Sequence, residues 1–272
     1  MMKVGFSTLG CPAWSLAKAI AEAKRIGFQG VELRWVANSD ALWEVPGLTA
    51  GDLPTSKRMF ADAGIICSDI GARPHFHFPD EAKRKEQIEE AKRCIDIAAG
   101  LNAPGVRLWG DKIQKGADRA STMKWISESI WTLAEYARPS GVELWLESHG
   151  DFTASADVAA LLNGCGCHGV GAAWDPANAF VAGEDPMKGA PILAPYIKHV
   201  HIKDQKNLGA GKRQLLPMGE GEVPLAKIVE ALAKMNYKGF LSYEWEKKNV
   251  PALAEPEVAF PAFIAWWNAN GK

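Results

Sequence analysis

The chain has 272 residues, 47% of them hydrophobic, with a formal net charge of −1 and a pI near 6.6; a duplex-binding surface normally carries a marked positive excess, so nucleic acid is not expected as a partner. No run approaches the ~18 uninterrupted apolar residues of a membrane span, and the N-terminal "MMKVGFSTLG" lacks the charged and apolar regions of a secretory signal. Five cysteines scattered through the chain fit the reduced thiols of a cytoplasmic protein better than a disulfide framework.

Read in chain order, apolar runs alternate with helical patterns. "KVGFST" (3–8) predicts a strand, and "SLAKAIAEAKRIG" (15–27) a helix: Leu16, Ile20, Ala23 and Ile26 recur at helical spacing, Ser15 can cap the start and Gly27 the end. "GVELRW" (30–35) is the second strand, followed by a helix over 53–64 that ends at Gly64. The third strand is "IICSDIG" (65–71), and the charged 80–101 segment, with opposite charges three and four residues apart, reads as a solvated outer helix. Strand "GVRLWG" (105–110) precedes a helix over 117–137, and strand "VELWLES" (142–148) precedes a helix over 154–163. "GCGCHG" (164–169) gathers two thiols and His168 but has no matching partner cluster elsewhere, so it reads as a small-residue turn into the next strand. That strand, "GVGAAWD" (169–175), leads to short helical pieces over 186–194. "IKHVHIK" (197–203) precedes a helix over 224–235 with Pro224 at its start, and "GFLSYEWE" (239–246) leads to a last helix over 254–269.

Eight strands, each followed by helical material and apolar on both faces, predict an α/β fold of the (β/α)₈ TIM-barrel type, spanning residues 1–272 as one domain. An open doubly wound sheet is the competing topology, but no G-x-G-x-x-G follows the first strand. The longest irregular stretches, 36–52, 72–79 and 204–222, all follow strands, where such a barrel carries its catalytic loops.

Ionisable residues gather at the carboxyl ends of four successive strands: Glu147, Asp175, His201 and Glu244. Small residues of Asp175's parity (Ala173, Gly171) leave room inside the barrel, whereas a low-lying Glu143 sharing the parity of Glu147 sits awkwardly with that register. Three carboxylates at one mouth repel unless protonated or neutralised by a cation. With one imidazole beside them, the set suits a divalent ion of intermediate hardness, Mn²⁺ first, with Mg²⁺, Zn²⁺ or Co²⁺ as alternatives.

At these residues the chain resembles the sugar phosphate isomerase/epimerase family of xylose-isomerase-like TIM barrels. The resemblance runs over nearly the whole chain, through "GFSTLGCPAWSL", "IGFQGVELRW", "ESHG", "WDPAN", "HVHIKD", "GEGEVPLAKIVEAL" and "GFLSYEWE". It implies one divalent ion held by Glu147, Asp175, His201 and Glu244, with Glu147 and Glu244 also serving as acid and base on a small sugar or keto-polyol. Proton abstraction α to a carbonyl, through an enediolate, would give isomerisation or epimerisation. A lyase or dehydratase acting on a keto-sugar or inosose is the nearest alternative. An endonuclease IV-like repair enzyme fits poorly: where several relatives have a histidine three residues after the strand-six aspartate, this chain has Asn178. A catalytically silent carbohydrate-binding barrel is a further alternative. Association into a homo-oligomer is left open.

Secondary candidates surround this set. Arg107 can bind a substrate oxyanion or pair with Glu32 or another rim carboxylate. Lys203 stands one step beyond the rim, placed for substrate oxygens, and Asn178 can donate to a sugar hydroxyl. His75, in "RPHFHF", can reach the mouth from the loop after strand three. His199 lies one inward layer below His201, about 7 Å along the strand, and reads as a core residue. Glu246 reads as a loop contact, and one or two of Trp14, Trp35, Trp109 and Trp245 are expected to line the site.

Overall fold

The eight apolar runs form eight parallel strands in the computed structural model, which describes residues 2–209 and 211–271. They are β1 (Lys3–Ser7), β2 (Gly30–Leu33), β3 (Ile66–His75), β4 (Gly105–Trp109), β5 (Glu143–Glu147), β6 (Val170–Trp174) and β7 (Ile197–Ile202). After an inserted antiparallel hairpin of β8 (Asp204–Gly209) and β9 (Lys212–Leu216) comes β10 (Phe240–Tyr243). The barrel closes in the order β1-β10-β7-β6-β5-β4-β3-β2. Outside it run α1 (Leu16–Ile26), α2 (Leu53–Ala63), α3 (Glu81–Leu101), α4 (Arg119–Ala137), α5 (Ser155–Cys165), α6 (Pro176–Val181), α7 (Pro186–Leu193), α8 (Leu225–Lys234) and α9 (Pro256–Asn270). The chain thus has the (β/α)₈ architecture that the alternation predicts.

Local chemistry sets the element ends. Ser15 Oγ accepts from the Lys18 N–H to start α1, and Gly27, at φ 103°, ends it, while Leu16, Ala19, Ile20 and Ala23 turn to the barrel. Between strands and helices lies an aromatic cluster in which Phe260 packs on Phe6 and Phe28, and Phe263 stacks on Tyr243. No helix of the described residues is long and apolar enough to cross a membrane.

Inside the barrel, side chains stack in layers. The floor is filled by Phe240 and Trp145, and glycines of other barrel strands make room for them. A Cβ at Gly30 would meet the Phe240 ring at 2.4 Å, and one at Gly105 would meet the Trp145 ring at 2.3 Å. Glu143 causes no difficulty. It stands at the lower, half-exposed opening, accepts from Trp145 Nε1 at 3.0 Å and pairs with Lys198 Nζ at 3.0 Å.

Three segments differ from the sequence expectation. Strand β3 continues to His75, past the predicted end at 71. A short helix, α6, starts directly after Asp175, whose carboxylate caps it. The 204–222 stretch, expected to be irregular, contains the β8–β9 hairpin. Most of that hairpin's residues are polar and outside the core, so no apolar period marks it. Its base is held by buried Asp204, which accepts backbone N–H bonds from Gly219, Gly221 and Val223. Asp204 therefore secures the loop after β7.

Gly105→Ala should destabilise the barrel by about 1–3 kcal/mol through overpacking against Trp145. A urea-unfolding midpoint equal to that of the unchanged chain would show that the indole yields freely, contrary to a filled floor.

Candidate active site

Strand ends bring four donors together. Glu147 closes β5, Asp175 follows β6, His201 lies in β7 and Glu244 follows β10. One oxygen or nitrogen from each lies within 4.8 Å of the others, and all four residues are buried. Asp175 divides its carboxylate: Oδ1 accepts from the Ala177 and Asn178 N–H groups at 3.0 and 2.9 Å, capping α6. That cap leaves Oδ2 without a hydrogen bond, pointed at the other donors. Glu147 Oε1 lies 3.2 Å from His201 Nδ1, and Glu147 Oε2 lies 3.3 Å from Arg107 Nε. Glu244 Oε1 accepts from Arg34 Nη1 at 2.5 Å, and its Oε2 accepts from Lys203 Nζ at 2.5 Å.

The orientation of His201 comes from below. Its Nε2 is 3.1 Å from Glu32 Oε2, off the line of a good hydrogen bond, and its Nδ1 turns up toward Glu147 and Glu244. Glu32 is itself positioned by Ser7 Oγ at 3.0 Å and Ser242 Oγ at 2.6 Å. His199 lies in this deeper layer, 3.5 Å from both Glu32 and Asp69 and stacked on Trp145.

Burial and pairing set the charges. Burial opposes ionisation of Glu147, but Arg107 and His201 beside it hold its carboxyl well below the usual range. Glu244 is likewise lowered: burial works against it, and Lys203, His201 and Arg34 prevail. Asp175 goes the other way, raised by burial against the pull of Lys203. For His201, burial disfavours the cation, yet Glu32, Glu244 and Glu147 raise its pKa well above the ordinary imidazole value. Asp69, in the deeper layer, is raised to about 6, chiefly by burial.

Two acceptors of the set, Glu147 Oε2 and Asp175 Oδ2, have no hydrogen-bond partner. Orphaned buried acceptors at the meeting point of carboxylates and an imidazole are what a divalent ion would satisfy, so these residues fit one. Lys203 Nζ, 2.8 Å from Asp175 Oδ2 and 2.5 Å from Glu244 Oε2, neutralises part of the set.

Above the donors opens a cavity of about 230 Å³, smaller than the ~300–1,000 Å³ of sites for drug-sized ligands. Trp35 and Trp109 are on its wall, whereas Trp14 and Trp245 belong to the core. Trp109 is clamped by Arg34 and Arg107, 4.7 and 4.4 Å from its ring, and its Nε1 donates to the Ala72 carbonyl. His75 and His149 flank Trp109 and face Asp111, at 3.8 and 3.0 Å respectively. Burial lowers His75 to about 4, so it is neutral at pH 7.

The other sequence candidates divide by position. Lys203 lies on the wall with His75. Arg107 is beneath it, fully buried, paired with Glu147 and donating to the Ala72 carbonyl. The Asn178 amide donates to the Ser148 carbonyl and accepts from Arg213 Nη1. Sequence reasoning passes over Arg34, Asp69 and Arg213. Arg34 shares the parity of Glu32 two residues earlier, a signal that points it inward. Asp69 shows as an acid inside an apolar run. Arg213 comes from the hairpin and has no sequence signal.

Comparisons with known proteins agree with this architecture. The family model described as xylose isomerase-like TIM barrel matches residues 20–269. Fructoselysine 3-epimerase of Shigella flexneri is 25% identical over 255 residues, covering 89% of this chain and 90% of that protein. Inosose isomerase of Halalkalibacterium halodurans is 25% identical over 258 residues, covering 90% and 87%. The crystal structure of a 3-keto-D-glucoside 4-epimerase from E. coli superposes with a TM-score of 0.80 at 16% identity, covering 99% of this chain and 100% of that one.

Arg107→Met should strip Glu147 of its buried arginine partner and cost about 3–5 kcal/mol in urea unfolding. Adding Glu147→Gln should recover much of that loss. A double-mutant cycle with coupling under about 0.5 kcal/mol would show that the two side chains act independently.

Proposed function

The chain belongs to the xylose isomerase-like TIM barrel family, and within it we propose a divalent-metal-dependent isomerase or epimerase of a small ketose or keto-polyol. The observation that carries this reading is the convergence of Glu147, Asp175, His201 and Glu244, partly without hydrogen-bond partners, at the floor of a small polar cavity. The names of the curated relatives, a 3-epimerase of fructoselysine and an isomerase of inosose, support the reaction class.

Glu147, Asp175 and Glu244, with His201 Nδ1, would hold the ion, and the donor set suits Mn²⁺, with Mg²⁺, Zn²⁺ and Co²⁺ also compatible. When bound, the ion supplies Lewis-acid polarisation of the substrate's carbonyl and neighbouring hydroxyl oxygens. The proton chemistry belongs to the protein. Glu147 and Glu244 stand on strands separated by β6 and β7, so they approach a bound ketose from different sides. One carboxylate takes the proton α to the carbonyl, and the other returns a proton to the resulting enediolate. Neighbouring cations lower both carboxyls, so either can start as the base, and the one that returns a proton to the enediolate first takes that proton from solvent. Trp35 and Trp109 line the wall beside the space for the carbon skeleton, and the cavity limits the water that reaches the reacting carbon.

Glu147→Gln and Glu244→Gln should each lower solvent-deuterium incorporation at the α carbon by about 10²–10⁴-fold, followed by NMR in Mn²⁺ with a ketose and inosose panel. Exchange that persists at full rate in both variants would rule out the two-glutamate mechanism.

The carboxylates around His201 raise its pKa above the ordinary imidazole value, so a proton held on the ring must leave before the nitrogen ligates. Mn²⁺ affinity should therefore strengthen as pH rises, about tenfold per unit while His201 is protonated, with about one proton released per ion. Calorimetry in buffers of different ionisation enthalpy measures both quantities. Affinity independent of pH between about 6 and 8, with no proton released, would remove His201 from the ligand set.

A further inference from the structure

Outside the four-donor set, three more metal-ligating side chains converge. His75, His77 and Asp111 each bring one ring nitrogen or carboxylate oxygen within 4.8 Å of the other two. They come from the end of β3 and from the turn that follows β4, and two irregularities of the backbone bring them together. Between Gly71 and His75, strand β3 advances four residues while β4 advances two, from Arg107 to Trp109. Bulges of this kind re-aim side chains. The extra length sets His75 beside Trp109. His77 follows beyond the fully buried Phe76, its ring centre 5.2 Å from that of His75. Asp111 has φ 61°, a left-handed backbone that a non-glycine residue seldom adopts. The neighbouring turn keeps it there: the Asp151 N–H donates to the Asp111 carbonyl at 2.6 Å, and Gly150 packs where a Cβ would strike that oxygen.

Each side chain is prepared in a different way. His77 Nδ1 lies 3.2 Å from the Gly110 carbonyl, which can only accept, so the hydrogen belongs on Nδ1 and the lone pair on Nε2. The Lys112 N–H, 3.4 Å from the same Nδ1, is the weaker contact. The Asp111 carboxylate is divided: Oδ1 faces His149 Nδ1 at 3.0 Å, and Oδ2 turns to His75. His75 Nδ1 is buried without a hydrogen-bond partner and lies 3.8 Å from that Oδ2, beyond hydrogen-bond reach. Ligands about 2.1 Å from a shared ion stand roughly 3–3.5 Å apart. A small closure of this gap lets one ion satisfy both atoms.

We propose that His75, His77 and Asp111 form a second metal site, separate from Glu147, Asp175, His201 and Glu244, and that it takes Zn²⁺. Two imidazoles and one carboxylate are a zinc-type set, and three protein ligands leave a fourth tetrahedral position open. His75 lines the cavity, so water or a substrate hydroxyl can fill that position. The chain would bind this ion whether or not it is an isomerase.

The test is the zinc content of the full chain. Protein stripped with EDTA is equilibrated with excess Zn²⁺, passed through gel filtration and analysed for metal. The unchanged chain should retain two zinc ions, and His77→Gln and Asp175→Asn one each. In calorimetry with Zn²⁺, one of two binding phases should weaken by about 100-fold in His77→Gln while the other stays within about twofold. The phase that stays also shows an intact fold. Two ions retained by His77→Gln overturn the proposal. If His77→Gln loses both, Asp111→Asn decides: one ion retained supports the site, and any other count overturns it. A single ion in the unchanged chain that survives His77→Gln and leaves with Asp175→Asn overturns the second site and keeps the four-donor reading. A single ion with the opposite behaviour supports the second site and counts against the four-donor reading.

Discussion

Ion pairing in a place that water hardly reaches is the constraint on which this molecule depends. An unpaired carboxylate moved into such surroundings carries a penalty of several kcal/mol, and the barrel mouth buries several at once. The chain meets this by drawing each cation from a different strand end or loop: Arg107 serves Glu147, Arg34 and Lys203 serve Glu244, and Lys203 and Arg213 serve Glu246. Removal of any one cation exposes a neighbour's charge, so the site behaves as a unit and its members cannot be treated as independent contacts.

The barrel below makes that unit precise in position. Its floor is a packed layer in which Phe240 and Trp145 press against glycines. Above it lies a polar layer of Ser7, Glu32, Asp69, His199 and Ser242, fully enclosed and tied to His201 from beneath. The layer of Glu147, Asp175, His201 and Glu244 comes third. Side-chain orientation at the top therefore originates in packing two layers down, where no substrate reaches.

How much of this could be read in advance follows from the physics. The strand–helix alternation was legible because buried parallel strands and amphipathic helices impose strong apolar periods. The convergence of Glu147, Asp175, His201 and Glu244 was legible because each is a polar residue where a strand should be ending. Arg34 was open to the same parity argument, since it stands two residues after Glu32 in the run 30–35 read as a strand. Arg213 was not: a polar hairpin held by backbone ladders and by Asp204 has no apolar face to announce it. The partner of Arg107 depended on interstrand register, which places Trp109 opposite Glu147 and which no local pattern specifies.

The β8–β9 hairpin stands apart from the barrel ladder, attached through Asp204, Gln205 and the Arg213–Glu246 pair. Its position separates two kinds of inheritance. The donors on β5, β6, β7 and β10 are bound to barrel register, so a shift there disturbs the entire floor and ligand set together. Away from Arg213, the hairpin can change length or tip without moving one barrel strand. Variation in this fold has a ready outlet there, where one new side chain reshapes the cavity wall while the four buried donors beneath keep their places.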